Sequence, residues 1–163
     1  MTRYAEQTTV SVERSRAEIE AILCRYGADQ FGYARDDSRG IASIQFAAKN
    51  RQIRFILTLS KRDAKEFTTT PARNHKRSAQ AIEAAWEQAC RQRWRALALC
   101  IKAKLEAVDC GISEFEDEFL ANIILPGGST VSQLMRPQIE QAYLTKKPPN
   151  GIAGLLPAPR GVA

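Results

Sequence analysis

Chemistry in this chain has to come from one histidine, four cysteines, 18 carboxylates and 24 lysines and arginines. The carboxylates cluster once, at Glu114, Glu116, Asp117 and Glu118. Paired carboxylates can hold Mg²⁺ or work as general acid and base. These four follow Ser113 in what reads as the first turn of a helix, where the helix dipole already favours negative charge. His75, the single histidine, stands among basic residues and has no partner for a dyad or triad. Cys24, Cys90, Cys100 and Cys110 contain no CxxC pair and have no neighbouring histidine, so zinc-ligand spacing is missing. They read as reduced, buried thiols that behave as small hydrophobes. Gly127-Gly128 lacks the Lys-Ser or Lys-Thr companion of a phosphate-binding loop. The expected chemistry is binding without catalysis, with no metal and no cofactor.

The cations carry the binding argument. The formal charge is +6, and it is uneven: residues 1–112 hold 20 basic and 13 acidic side chains, residues 113–163 four and five. Such a field attracts polyanions or an acidic protein. Residues 60–78 hold Lys61, Arg62, Lys65, Arg73, Lys76 and Arg77 against Asp63 and Glu66, together with a run of three threonines and Pro71. Just behind them comes a helical run with Arg91, Arg93 and Arg95 interleaved with Trp94, then Lys102 and Lys104. Lysine and arginine neutralise phosphates, so the expected nucleic-acid contacts are Arg51, Arg54, Lys61, Arg62, Lys65, Arg73, Lys76, Arg77, Arg91 and Arg95. A second candidate surface is a sheet face with Tyr33, Ser43, Gln45, Arg54 and Thr58, similar in outline to the aromatic and basic faces of single-strand binders. Trp86 and Trp94 fit an apolar stripe and are expected in the core.

These residues need elements to position them. Ser11 caps a helix over 12–26, with Val12, Ile19, Ile22, Leu23 and Tyr26 at helical spacing and Gly27 as its stop. The period then changes to two. Gln30 to Ala34, Ile41 to Ala48 and Gln52 to Leu59 read as three antiparallel strands, with Ile44, Phe46, Ile53, Phe55, Leu57 and Leu59 inward. Residues 60–78 read as a loop. Ser78 caps a long helix whose stripe, Ile82, Trp86, Cys90, Trp94, Leu97, Ile101, Leu105 and Val108, runs to about Val108. Ser113 and Glu116 form a capping box before Phe115 and Phe119. Pro126-Gly-Gly128 breaks the chain, Thr130 and Gln133 open another helix, and Pro137 interrupts or restarts it. Residues 1–10 read as frayed. Residues 1–145 form one α+β domain, and 146–163 a Pro/Gly-rich extended tail whose patch Gly154-Leu-Leu-Pro157 can dock on the domain or a partner.

The segments RQRWRALALCIKAKLEAV (91–108) and EFLANIILPGGSTV (118–131), with IASIQFAAKNRQIRFILTL and ERSRAEIE before them, resemble an uncharacterised protein family encoded by tailed bacteriophages and prophages. The resemblance covers nearly the whole chain. It implies a small accessory protein of the infected cell, handling DNA in replication or recombination, or inhibiting or redirecting a host protein. It implies no site residues. No run reaches the roughly 18 apolar residues of a membrane span, and the first residues have no secretory core. A cytoplasmic protein is expected, non-catalytic, binding single-stranded or nonspecific DNA. The alternative is a protein-binding module, and a surplus apolar stripe on the long helix offers a homo-oligomer contact.

Overall fold

The computed structural model describes residues 4–70 and 75–148. It is a mixed α+β fold in which helices cover one face of a three-stranded antiparallel sheet. The first helix, α1 (Val12–Arg25), begins where the Ser11 hydroxyl accepts the Arg14 N–H at 3.1 Å, with Glu13 in the first turn. Ser15, Ile19 and Leu23 form its buried line. Residues 4–8 are held rather than frayed: Gln88 donates to the Glu6 and Thr8 carbonyls, and Gln92 to that of Tyr4. Two glutamines on a distant helix supply donors that an isolated polar segment lacks.

The meander is β1 (Gln30–Asp36), β2 (Ile41–Ala48) and β3 (Arg51–Thr58), in that order. Lys49 and Asn50 both have positive φ, 48° and 60°, the twist that a two-residue hairpin turn requires. Between β1 and β2, Asp36 accepts the Ser38 hydroxyl and the Arg39 N–H, which hold its carboxyl below the ordinary range. Pairing places Ile44 opposite Phe55 and Phe46 opposite Ile53, so the apolar residues share one face, and Gln45 opposite Arg54 on the other. The far edge of β3 is covered by Ile123 and Ile124, where the Ile124 N–H donates to the Gln52 carbonyl at 2.8 Å.

After β3 comes a short helix, α2 (Lys65–Thr68), and then α3 (Ala79–Asp109), 31 residues or about 46 Å. Trp86, Cys90, Trp94, Leu97, Ala98, Ile101 and Leu105 of α3 lie in one buried cluster with Ile19 and Leu23 of α1 and the inner sheet residues. The stripe is therefore covered within the chain. Next, α4 (Phe115–Phe119) adds Phe115 and Phe119; Phe119 meets Phe46 and Phe55 edge-on at 6.0 and 6.2 Å. The expected capping box at Ser113 does not form. Glu114 takes the cap position with extended backbone and no side-chain bond, and the Ser113 hydroxyl turns to the Glu114 carbonyl.

A 3-10 turn, Leu120–Asn122, leads to the last helix, α5 (Val131–Thr145). Here the capping box is complete: Gln133 N–H donates to Thr130 Oγ1, and Gln133 Oε1 accepts the Thr130 N–H. Pro137 neither interrupts nor restarts α5, which runs through to Thr145. Proline deprives the Gln133 carbonyl of its helical donor, but Gln133 is exposed and water can replace the bond. Lys146 closes the helix in left-handed conformation. The expected tail from 149 onward lies outside the described residues. No helix among the described residues is long and apolar enough to cross a membrane.

Candidate nucleic-acid interface

The segment read as a loop has a framework of its own. Phe67, on α2, is buried at 5% exposure and fixes that helix against α3. Beyond it the chain folds back as a narrow antiparallel ribbon. Thr70 N–H donates to the His75 carbonyl and Arg77 N–H to that of Thr68, both at 2.9 Å, and Thr69 is bridged to Lys76. The sequence pattern missed this because one aromatic residue in a polar run gives no periodicity. The signal was Phe67 itself, a large apolar residue without an assigned face.

The ten expected cations separate into groups. Lys61, Lys65, Lys76 and Arg77 lie on or beside α2 and the ribbon and form no ion pair with any described residue. The first three are exposed and Arg77 is half-buried. Arg73 lies outside the described residues. Arg62 borders this group, but its guanidinium is 3.1 Å from Glu83 and stacks 4.2 Å over the Trp86 ring.

The other four are engaged elsewhere. Arg51, at the β2–β3 turn, faces Glu116 at 3.6 Å. Arg54 donates to the Gly128 carbonyl at 2.8 Å and to Gln45 at 3.3 Å, tying the Pro126-Gly-Gly turn to the sheet. Arg91 donates to Gln88 at 2.6 Å and lies 3.6 Å from Glu87. Arg95 is paired with Glu18 of α1. With side chains only 28% and 21% exposed, Arg91 and Arg95 sit along the α1–α3 side of the molecule and turn little charge outward. Glu87 stands one helical turn before Arg91 on α3, a pairing the local sequence offers, whereas Glu18 reaches Arg95 from another helix, which the local sequence did not reveal. The acidic cluster is likewise occupied in part: Glu116 faces Arg51 and Glu118 faces Lys104 at 3.2 Å. Among the described residues no three histidine, cysteine or carboxylate side chains are grouped to hold a metal ion.

The sheet-face reading needs correction. Tyr33 is paired with Ile44 and therefore points to the covered face. There its ring lies 5.5 Å from that of Trp94, and the Arg16 guanidinium sits 3.5 Å from the Tyr33 ring centre. The open face retains Ser43 and Gln45, opposite the small β1 residues Ala34 and Gly32, and Arg54 and Thr58 of β3. Without Tyr33 this set has no aromatic ring for base stacking. A one-residue difference in register puts a side chain on the opposite face, and a short aromatic strand does not specify that register by pattern alone.

Two arginines outside the expected set of ten, Arg35 and Arg93, also hold places in the structure. Arg93 donates to the Thr58 carbonyl at 2.6 Å and fixes the exit of β3. Arg35 lies 5.6 Å over Trp86 and is bonded to Asp37, which raises its pKa above the ordinary value. It lines a cleft of about 380 Å³ between the start of α1, the end of β1 and α3. Arg35, Arg62 and Arg91 enter this cleft, and so do Glu13, Glu83 and Glu87. Equal numbers of opposite charges give no net field for a polyanion.

The thiols divide as well. Cys90 is buried, and burial pushes its pKa up, whereas Cys24, Cys100 and Cys110 are exposed, contrary to the expectation for the set. Cys24 follows the buried Leu23 but points off the α1 stripe. Compared with known proteins, the chain matches no family model, and no curated protein or solved structure shows significant similarity to it.

Proposed function

We propose that this protein is a non-catalytic nucleic-acid-binding accessory protein of a bacteriophage, acting in the host cytoplasm on single-stranded or nonspecific duplex DNA through the ribbon and α2. One observation carries the reading: Lys61, Lys65, Lys76 and Arg77 are gathered on or beside one small element, next to Thr68, Thr69 and Thr70, without carboxylate partners among the described residues. Lysine and arginine side chains are usual donors to phosphate oxygens, and a ribbon anchored by a buried aromatic presents them without disturbing the core, while the Thr68 and Thr69 hydroxyls donate inward to the Ala64 and Lys65 carbonyls. The expected set of ten thereby contracts to this group, with Arg62 at its margin, Arg73 outside the described residues, and Arg51, Arg54, Arg91 and Arg95 given structural roles.

Fluorescence anisotropy with labelled single- and double-stranded oligonucleotides tests it. Affinity should fall steeply between about 50 and 200 mM salt. Replacing Lys61, Lys65, Lys76 and Arg77 with serine should lower the duplex salt slope by up to about four units. Absence of binding at the lowest salt defeats the reading. The cleft lined by three Arg and three Glu favours a second one: a charged peptide of a host protein fits a balanced surface better than a phosphate chain does. A pull-down from nuclease-treated host lysate, repeated with Arg35→Glu, separates that reading from the first.

A further inference from the structure

The cations of α2 and the ribbon come almost without rings. Residues 60–78 contain two aromatic side chains, Phe67 and His75. Phe67 is buried. The indole beside Arg62, that of Trp86, is only 9% exposed, donates to the Ser60 carbonyl and is covered by the Arg62 guanidinium. His75 is exposed, and one imidazole stacks on one base at most. The well-exposed tyrosines lie on other elements. Tyr143 is on the last turn of α5, and the Tyr4 carbonyl is held by Gln92, about 21 Å along α3 from Ser78.

Single-strand binders stack successive bases on rings and track the backbone along a positive groove. The groove adjoining Lys61, about 340 Å³, is lined by Arg35, Lys61 and Arg62 but also by Asp37 and Asp63, whose carboxylates oppose a phosphate chain. Attraction to phosphates alone therefore remains. Lys61, Arg62, Lys65, Lys76 and Arg77 stand against Asp63 and Glu66, so the described part of this segment stays positive. Its cations are also held in place. Phe67 fixes α2, and the strand carrying Lys76 and Arg77 is bridged at Thr69 and bonded to the Thr68 carbonyl. A fixed array of charges suits a rigid row of phosphates, whereas a flexible strand must lose conformational freedom to match it.

Building on the nucleic-acid reading above and narrowing it to one substrate class, we propose that α2 and the ribbon select double-stranded over single-stranded DNA, holding the duplex by its phosphates without stacking on its bases. Fluorescence anisotropy of the full chain with labelled oligothymidine, which forms no duplex of its own, and with a mixed-sequence duplex of equal length tests it. Each phosphate contact adds about 0.9 to the salt slope on a duplex and about 0.7 on a single strand, so four contacts give slopes of about 3.6 and 2.8. Accumulated from about 1 M salt down to about 50 mM, that difference makes the duplex tighter by about tenfold. His75→Ala should leave both affinities in place. Serine at Lys61, Lys65, Lys76 and Arg77 together should abolish the preference along with the salt slope.

Oligothymidine bound as tightly as the duplex overturns the proposal and leaves the nucleic-acid reading standing. So does a duplex preference that survives the four serines, which would place the selecting surface elsewhere. A loss of about fivefold or more in oligothymidine affinity on His75→Ala overturns it as well, because a stacked ring is worth at least that much. Failure of both ligands to bind at the lowest salt defeats the reading and the proposal together, an outcome distinct from the other three.

Discussion

Trp86 and Trp94 lie about two turns apart on α3, and their surroundings give them different duties. Trp94 is 2% exposed and packs against Tyr33, so its ring is core. Trp94→Ala should cost about 3–5 kcal/mol in urea denaturation; an equally stable variant would show that the ring has been placed wrongly. Trp86 keeps a polar role, since its Nε1–H donates to the Ser60 carbonyl at 2.7 Å while Arg62 covers its face. Trp86→Phe preserves most of the burial and removes the donor, so a loss of about 1–2 kcal/mol is expected in the same measurement. The thiols give a test at the same scale. A disulfide reagent should titrate Cys24, Cys100 and Cys110 promptly in the native protein and Cys90 only after denaturation, because Cys90 is both shielded and held protonated by burial. Prompt reaction of all four would contradict the packing of α3.

At the scale of elements, the ribbon depends on a single buried side chain. Phe67→Ala removes no charge, yet it should loosen α2 and weaken oligonucleotide binding, because the cations would lose their fixed spacing. Affinity unchanged in that variant would mean that α2 and the ribbon do not form the contact surface. The β1–β2 loop is pinned as tightly. Gly40 has φ +64°, its carbonyl accepts the Leu59 N–H at 2.7 Å, and a Cβ there would meet the Leu59 carbonyl oxygen at 2.8 Å. Gly40→Ala should therefore destabilise the protein by about 1–3 kcal/mol through backbone strain, read as a lower melting temperature. The affected strand end leads directly into Lys61 and Arg62, so this variant also connects sheet geometry to the basic surface.

For the whole molecule, charge placement matters more than net charge. The ion pairs at Arg51, Arg62, Arg91 and Arg95 are at least partly exposed, and such pairs contribute little to stability and are screened by salt. Raising salt from about 50 to 200 mM should therefore leave the melting temperature nearly unchanged while oligonucleotide affinity collapses. Parallel loss of both would assign the cations to folding instead.

The pattern of apolar residues determined most of the architecture. Period-two alternation in Ile41–Ala48 and Arg51–Thr58 and three-to-four spacing in α1 and α3 leave one economical burial, helices over one sheet face, because apolar faces must meet. Local signals at Ser11, Ser78 and Thr130 marked helix starts because a cap needs only residues three apart. Tertiary structure decided the partners of Arg51, Arg54, Arg62 and Arg95. Glu18 reaches Arg95 across 77 residues, and Gly128 reaches Arg54 across 74. It also turned Tyr33 inward through strand register, made Phe67 an anchor and left no residue of α5 fully buried. Side-chain pairing at such separations depends on where the backbone goes, and hydrophobic periodicity records which face is buried but not which neighbour it meets.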